Sequence, residues 1–370
     1  MSKSSKHIVA IGQIPPPMDG LAYITSAFVE LLGEKHNVRT VNISPKASRG
    51  VLYHLSRAAA VLRASVRLFL DATKSNRICY MPCQSDFGVI YTIYLLAVAR
   101  ALNYRRCLHH HNFGYINEYR LLMKIVLSVA GPTTTHIFLC DRMRDRFSET
   151  YWRPPSSMVI SNSAFVKPST SGVEPRVRGI PGLNRPLRIG LLSNLNEEKG
   201  LYVFLDLMRA IRETGLEISG NLAGPAKLDK DKLAIEAAQK EFGPQLTYSG
   251  PLYGEQKLQF YESLDVFVFP TTYANEAQPT VLYEALAAGN LIVAYDRGCI
   301  ASQVKRDGLV IAQNKPFVPF AISWLEDLLS EPESLHNRPL ITQRALEMHA
   351  CERAKAQCAL DHPPAERTAA

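Results

Sequence analysis

The sequence contains no apolar run long enough to cross a membrane. The longest run, residues 87–99, is closed by Arg100 and is shorter than the ~20 residues that a spanning helix needs. Behind the basic first residues, the apolar run 8–14 leads straight into three prolines and is too short for a signal peptide. These absences predict a chain that is neither exported through a signal peptide nor membrane-spanning.

Cysteine patterns that would indicate metal or disulfide sites are also missing. The seven cysteines are an odd number at irregular positions, with no Cys-x-x-Cys and no histidines at zinc-ligand spacing. We therefore interpret them as small buried residues, and the predicted compartment is the reducing cytoplasm.

Motifs of two other protein classes are absent. No Gly-x-Gly-x-x-Gly follows a strand, which argues against a nicotinamide dehydrogenase. No helix-turn-helix, zinc-finger or RNP-type pattern occurs, and the basic residues are spread along the chain, which argues against nucleic-acid binding. The formal charge of +8 instead favours another anionic partner, such as a phosphorylated ligand or an acidic membrane surface.

What the sequence does contain is an alternation of short Val- and Ile-rich runs with longer segments of helical period. Such alternation is typical of parallel sheets with crossover helices, and 370 residues are enough for two domains. We therefore predict an α/β protein with two Rossmann-like, doubly wound domains that face a cleft. The predicted strands are 7–13, 38–43, 78–81, 106–110, 135–140 and 158–160 in the first half, and 187–192, 218–223, 246–249, 266–270, 291–295 and 309–311 in the second.

The periodicity stops between Ser163 and Pro186, where prolines and glycines accumulate. Such a composition indicates an interdomain linker. The predicted organisation is an N-terminal domain (1–165), a linker (166–186), a C-terminal domain (187–345), and a terminal helix with a tail (346–370).

Two glutamates belong to one strand–loop–helix unit of the C-terminal domain. A strand ends at Pro270, a polar loop follows, and a helix starts near Thr280 and ends at a glycine. Glu276 in the loop and Glu284 in the helix would lie at the C-terminal edge of the sheet. A carboxylate can accept hydrogen bonds from two adjacent sugar hydroxyls, which suits a nucleotide sugar. Alternatively, Glu284 is a first-turn residue that complements the helix dipole.

This segment resembles the E-x7-E signature of the family-4 retaining glycosyltransferases, with Glu276 and Glu284 in the two positions. The resemblance implies the GT-B fold, in which the C-terminal domain binds a nucleotide-diphosphate sugar and the N-terminal domain lies on the acceptor side. It also implies that Glu284 holds the ribose while Glu276 approaches the transferred sugar. The backbone amides that would face the sugar and the diphosphate are those of Ala277, Gln278, Pro279 and Thr280.

A second match lies at the first strand of the C-terminal domain. Lys199 stands just before a helix start, which would put its ammonium on a diphosphate, and the alternative is a solvated surface lysine. Many relatives carry an arginine where Asn194 stands, so this sequence departs from the pattern, and Arg297 is a candidate for the missing charge. The strand end at Gly224 and the turn at Leu252 also resemble family loops beside the base.

Two elements of the N-terminal half resemble the same family. The loop after the first strand is similar to the glycine loop near the diphosphate and acceptor, but Asp19 replaces the first of two usual glycines and only Gly20 matches. The run of three histidines that ends the fourth strand places His109 and His111 on the same side. It resembles a His-x-His-Gly element, which implies that His111 contacts the transferred sugar. A metal site or an ordinary strand end is the alternative.

We expect no metal and no cofactor beyond the nucleotide-sugar donor. Asp229-Lys230-Asp231 is formally the Asp-x-Asp metal motif of the other large glycosyltransferase fold. It stands at the start of a charged helix rather than at a strand end, so we interpret it as a solvated helix start.

Residues 51–70 have helical period and contain Arg57, Arg63 and Arg67. A basic amphipathic helix of this kind can lie on an anionic membrane, which would make the protein peripheral at the inner face. A crossover helix with a solvated basic edge is at least as compatible with the pattern.

The sequence thus predicts a hexosyltransferase that uses a nucleotide-diphosphate sugar, and the resemblance implies that the configuration is retained. The predicted acceptor is a saccharide or a lipid-linked saccharide, in polysaccharide or glycan biosynthesis. The alternative is a catalytically weak GT-B scaffold that acts as a binding or assembly subunit. Asn194 and the altered glycine loop would favour that alternative.

Overall fold

The computed structural model describes residues 5–16, 20–44, 51–85, 88–166, 185–331 and 338–361. The chain divides into two compact units. The N-terminal unit consists of the chain up to Phe165 together with the residues from Cys351 onwards, and the C-terminal unit is Val166–Ala350. Most of the predicted linker 166–186, and the tail after Asp361, lie outside the described residues.

The N-terminal unit is built on a six-stranded parallel sheet of order β2-β1-β3-β4-β5-β6. Its strands are β1 (His7–Gly12), β2 (Asn37–Asn42), β3 (Arg77–Pro82), β4 (Arg105–His109), β5 (Thr135–Phe138) and β6 (Ser156–Val159). Its helices are α1 (Gly20–Gly33), α2 (Val51–Leu70), α3 (Val89–Ala101), α4 (Gly114–Asn117), α5 (Leu121–Ala130) and α6 (Asp141–Thr150), and a 3-10 turn covers Asn162–Phe165.

The core of this unit follows from the apolar periods of its elements. Every residue of β1 is buried, as expected for a strand covered on both faces. Helix α1 buries Ile24, Phe28 and Leu31 at helical spacing against the sheet. The end of the chain joins the same core, because Ala356 and Leu360 pack into it.

The C-terminal unit contains a second six-stranded parallel sheet, of order β12-β11-β10-β7-β8-β9. The strands are β7 (Leu187–Leu192), β8 (Ile218–Ala223), β9 (Leu246–Tyr248), β10 (Val266–Phe269), β11 (Leu291–Tyr295) and β12 (Gly308–Ile311). The helices are α7 (Leu201–Thr214), α8 (Asp229–Phe242), α9 (Gly254–Ser263), α10 (Thr280–Ala287), α11 (Ile300–Val304) and α12 (Phe317–Ser330), with a 3-10 turn at Gly243–Gln245. Helix α13 (Arg338–Cys358) begins in this unit, and its residues from Cys351 belong to the N-terminal unit.

The strand order of this second sheet is that of the doubly wound nucleotide-binding fold. Counted from its own first strand, the sheet reads 3-2-1-4-5-6, and the order reverses between β7 and β10. Ligands of such sheets bind beyond the carboxyl ends of the strands at the reversal point. The strand order therefore predicts a ligand-binding site at the loops after β7 and β10.

The predicted fold class is confirmed: two parallel α/β sheets with flanking helices are present, and each of the twelve predicted strands has a counterpart. Strand ends differ from the prediction by at most two residues. The largest shifts are at β5, which ends at Phe138, and at β6, which begins at Ser156 because pairing with β5 extends it through two serines.

Helix α2 is a crossover helix, and the predicted basic edge is wrong for one of its three arginines. Arg57 is buried, with 4% of its surface exposed, because its guanidinium donates to the Gln84 side chain at 2.9 Å. Arg67 is paired with Asp71 at 2.7 Å, whereas Arg63 is exposed. Within the described ranges, no helix has both the length and the apolarity to span a bilayer.

Candidate functional site

The loops after β7 and β10 are joined by an ion pair. The ammonium of Lys199 lies 2.6 Å from Oε2 of Glu276. Thr271, at the end of β10, donates its hydroxyl to the same oxygen at 3.2 Å, and the Tyr273 ring centroid lies 4.5 Å from the Lys199 Nζ atom. Two residues that the sequence placed in separate motifs are thus in contact at the reversal point of the sheet, and Glu276 is largely buried.

Backbone contacts fix the position of Lys199. The Thr272 N–H donates to the Glu198 carbonyl at 2.8 Å, which ties the two loops together. Gly200 has φ +86°, and a Cβ there would lie 2.5 Å from the Pro270 carbonyl oxygen. Only glycine fits this approach, so the backbone before α7 is held against the end of β10.

Glu284 is held by two side chains of helix α9. Lys257 Nζ lies 2.6 Å from the Glu284 carboxylate, and the Tyr261 hydroxyl donates to it at 2.8 Å. Burial and the adjacent Glu284 charge raise the pKa of Tyr261 well above its usual value, so the phenol stays protonated as a donor. Glu284 is the fifth residue of α10, so the alternative that it complements the dipole from the first turn is wrong.

The loop between Glu276 and α10 is fixed through its carbonyl groups. The Ala277 carbonyl accepts the Cys299 N–H at 2.7 Å, and the Pro279 carbonyl accepts the Gln303 side-chain amide at 3.0 Å. Proline has no N–H, so the prediction that an amide of Pro279 faces the diphosphate is wrong. Ala277 and Gln278 are buried, whereas Thr280 opens α10, where the first N–H groups lack acceptors within the helix.

The segment after β11 also reaches this loop. Gly298 has φ +52°, and a Cβ there would lie 2.3 Å from the Ala277 carbonyl oxygen and 2.4 Å from that of Glu276. The preceding residue, Arg297, has a buried Nε for which the described residues offer no hydrogen-bond partner. Asn194 is exposed in the loop after β7. Arg297, the predicted source of the positive charge missing at position 194, therefore lies in the segment that contacts the loop of Glu276.

Gly224 and Leu252 have packing roles that the sequence did not show. Gly224 has φ +115°, and a Cβ would lie 1.8 Å from the Ser193 carbonyl oxygen, so this close approach of two loops requires glycine. Its N–H donates to the Gly250 carbonyl at 2.7 Å. Leu252 is partly buried against the core. Contact of either residue with a nucleotide base stays a prediction.

In the N-terminal unit, four histidines surround the end of β4. His109 and His110 are fully buried; His109 Nδ1 lies 3.0 Å from the Tyr80 hydroxyl, and His110 Nε2 lies 2.9 Å from His136 Nδ1. Burial lowers the pKa of His109 and His110 well below the usual value and that of His136 to about 4. The cluster is therefore neutral at pH 7.

His111 is the member of this cluster that reaches the surface. Its ring centroid lies 3.9 Å from that of His109, which confirms that the two side chains share a side. It is partly exposed, and burial of the ring lowers its pKa to about 3, so it is a neutral hydrogen-bonding group.

Gly20 opens α1, and a Cβ there would meet nothing within 4 Å. Packing therefore does not explain this glycine.

The Asp-x-Asp residues do not converge on a common point. Asp229 opens helix α8, as predicted, and pairs with Lys232 at 2.9 Å. Asp231 is fully buried and accepts the Tyr202 hydroxyl at 2.9 Å, so the prediction of a solvated helix start is wrong for Asp231. Among the residues that the structure describes, no group of three or more His, Cys, Asp or Glu could hold a metal.

Sequence reasoning missed four residues of the C-terminal site. Thr271 and Tyr273 directly follow β10, so their place at the carboxyl edge of the sheet could have indicated them. Lys257 and Tyr261 lie inside α9, and no local pattern marks them.

Residues 177–336 match the family described as glycosyl transferases group 1. Curated protein sequences give no match to the chain. The Anabaena protein Alr3699/HepE in complex with UDP has a TM-score of 0.66 at 14% identity, over 93% of this chain and 98% of that one. Sucrose-phosphate synthase from Thermosynechococcus elongatus has a TM-score of 0.66 at 15% identity, over 94% and 99%.

A third similar structure is the apo form of WaaB, a lipopolysaccharide outer core galactosyltransferase, with a TM-score of 0.65 at 13% identity over 95% of this chain and 99% of that one. At these identities the structural likeness concerns the fold. The matched segment contains the Lys199–Glu276 pair and Glu284, which pairs with Lys257. Residues 177–336 are therefore similar to the group 1 glycosyl transferases, and the chain has the two-domain α/β fold, GT-B, of these solved structures.

Proposed function

We propose that this protein transfers a hexose from a nucleotide-diphosphate sugar to a saccharide or lipid-linked saccharide acceptor, with retention of configuration, in polysaccharide or glycan biosynthesis. The observation that carries the proposal is the 2.6 Å pair of Lys199 and Glu276 at the reversal point of the C-terminal sheet. HepE, which has a similar fold, was crystallised with UDP and with UDP-glucose, which supports a nucleotide-sugar donor.

In the proposed reaction, the bond between the anomeric carbon and the diphosphate oxygen breaks, and its electron pair leaves with the diphosphate. The oxygen of an acceptor hydroxyl bonds to the anomeric carbon, and its proton passes to an oxygen of the leaving diphosphate. Negative charge accumulates on that group, so cations and helix N-termini aimed at it lower the barrier. Lys199 and the first turns of α7 and α10 are the proposed donors.

The two glutamates have different proposed roles. Glu284 accepts hydrogen bonds from the ribose hydroxyls, with its orientation fixed by Tyr261 and Lys257. Glu276 contacts the transferred hexose and, through its ion pair, fixes the ammonium of Lys199. His111, a neutral imidazole, is proposed as a hydrogen-bonding contact to the sugar.

A direct assay tests this function. The protein is incubated with UDP-, GDP- and ADP-sugars, and released nucleotide diphosphate and glycosylated product are measured with and without a chelator. We expect one donor to turn over, with the chelator having no effect because protein cations take the role of a metal. Lys199→Met should lower turnover by about a hundred-fold, whereas Lys232→Met, a change at an exposed lysine of α8, should not. Absence of turnover with every donor, or equal effects of the two changes, would contradict the proposal.

The exposed Asn194 favours a second candidate, a weakly catalytic GT-B scaffold that binds a nucleotide sugar for assembly. The same assay separates the two functions when it is combined with a binding titration. If a donor binds but is neither hydrolysed nor transferred when candidate acceptors are present, the result supports the scaffold function.

A further inference from the structure

Exposed apolar side chains of the described residues are concentrated on the helices α2, α3 and α5. The three helices lie in one row, since α3 packs against both others. Of the nineteen exposed large hydrophobic residues in the described ranges, seven lie on α2, two on α3 and three on α5. We name this surface the apolar face and define it by Leu55, Leu62, Val66, Phe69, Ile90 and Leu121.

Helix α2 shows that packing within the unit does not explain this face. Its inner side already buries Ala60, Ala64 and Leu68. On the outer side, Leu55, Leu62 and Phe69 recur every seven residues, and they are 61%, 61% and 62% exposed. A surface helix of a globular unit normally turns polar residues outwards, and a contiguous exposed apolar patch indicates a binding surface.

The charges on these helices are all of one sign. The sequences of α2, α3 and α5 contain no Asp or Glu. Each helix carries one exposed cation: Arg63 on α2, Arg100 on α3 and Lys124 on α5. An apolar face flanked by cations and free of acids complements the boundary between anionic headgroups and acyl chains.

We propose that the apolar face lies on an anionic phospholipid bilayer, with side chains such as Leu62 and Phe69 inserted among the lipids. This goes beyond the predicted basic edge of α2, because apolar insertion supplies the main attraction and the arginines only assist. Crossover helices begin at the carboxyl edge of a parallel sheet, so the starts of α2, α3 and α5 lie at the edge where His111 follows β4. If the proposed function holds, a lipid-linked acceptor in that bilayer would enter at this edge.

Vesicle sedimentation of the full chain tests the docking without any donor. We expect the wild type to sediment with vesicles of phosphatidylcholine containing about 30% phosphatidylglycerol, and more weakly with pure phosphatidylcholine. The variant Leu62→Glu/Phe69→Glu should partition at least about ten-fold less, since it replaces two inserted side chains with charges. Arg63→Gln/Lys124→Gln should lose only the preference for anionic lipid and its salt dependence.

The matched control is Leu233→Glu/Phe320→Glu, which changes exposed apolar residues of the C-terminal unit and should leave sedimentation unchanged. All variants are first compared with the wild type by circular dichroism and thermal unfolding. Equal sedimentation of the wild type and Leu62→Glu/Phe69→Glu, or no sedimentation of the wild type, would overturn the proposal. So would a wild-type dimer in analytical ultracentrifugation that Leu62→Glu/Phe69→Glu converts to a monomer, because the face would then bind a second copy. Sugar transfer to a water-soluble acceptor does not depend on the outcome.

Discussion

Lys257 and Glu284 form an ion pair at 2.6 Å, although 27 residues separate them in the sequence. Tyr261, one turn further along α9, donates to the same carboxylate. Neither Lys257 nor Glu284 is fully buried, so the pair remains accessible to a ligand. A ribose that bonds to Glu284 would therefore meet a carboxylate whose orientation is already fixed, which lowers the entropic cost of binding.

Tyr261→Phe tests this orientation. The ring is buried against Phe267, with centroids 5.4 Å apart, so phenylalanine keeps the packing and removes only the hydroxyl. Loss of one hydrogen bond is worth about 1 kcal/mol, so affinity for the free nucleotide diphosphate should fall about five-fold while the turnover number changes little. Isothermal titration measures the affinity. Tyr202→Phe, which removes a hydroxyl bonded to Asp231, is the control. An unchanged affinity of folded Tyr261→Phe would show that Glu284 does not need this partner.

Arg297 should supply the cation that Asn194 lacks. If its guanidinium stabilises the leaving diphosphate, Arg297→Ala should lower the turnover number about ten- to a hundred-fold, and Arg306→Ala, an exposed control in the same unit, should not. The sharper experiment adds Asn194→Arg to Arg297→Ala. Partial recovery of turnover in the double variant would show that the two positions serve one charge. Full activity of Arg297→Ala would exclude the role.

Much of the C-terminal site could be predicted because Lys199 and Glu276 lie in the loops that follow strands β7 and β10. The apolar runs of β7 and β10 identify the strands, and a parallel sheet brings their carboxyl ends to one edge. Lys199 and Glu276 therefore had to be neighbours in space once the strand order was known. The helix that starts at Thr280 could also be predicted from the sequence, since a glycine ends it and a strand follows.

The rest depends on contacts that no local pattern contains. Lys257 lies in the middle of a polar helix, and only the packing of α9 against α10 brings it to Glu284. Arg57 lies on the side of α2 that buries Ala64 and Leu68, and its partners there, Gln84 and the Tyr91 ring, come from a distant part of the sequence. The burial of Asp231 beneath Tyr202 likewise depends on two helices that are separate in sequence.

The histidine cluster should make the protein less stable in mild acid. Burial holds the pKa of His136 at about 4 and that of His110 well below its usual value, whereas an unfolded histidine takes up a proton near pH 6.5. Below pH ~6.5 the unfolded state therefore binds more protons than the folded state, and stability falls as pH falls towards ~4. For His136 alone the loss is roughly 2 kcal/mol at pH 5.

Thermal unfolding at pH 7.5, 6 and 5 measures this effect. His136→Gln removes one titrating group while leaving a side chain that can hydrogen-bond to His110. It should therefore lower the unfolding temperature at pH 7.5 but show a smaller further drop at pH 5 than the wild type. Equal drops in both proteins would mean that His136 does not contribute to the pH dependence.

The two glutamates should fail in different ways, because they are proposed to touch different parts of one donor. Glu284 would bind the ribose in the ground state and in the transition state alike. Glu284→Ala should therefore weaken the binding of free nucleotide diphosphate as well as that of the donor. Charged hydrogen bonds contribute roughly 1.5 to 3 kcal/mol, or about ten-fold to more than a hundred-fold in affinity. Glu276 would face the hexose and hold Lys199. Glu276→Ala should therefore leave nucleotide affinity nearly unchanged while turnover falls strongly.

Glu262→Ala, on the neighbouring helix α9, controls for loss of a carboxylate. Titration of nucleotide diphosphate against the folded variants decides: an equal loss of affinity in Glu276→Ala and Glu284→Ala, or full activity of Glu276→Ala, would show that the roles are assigned wrongly.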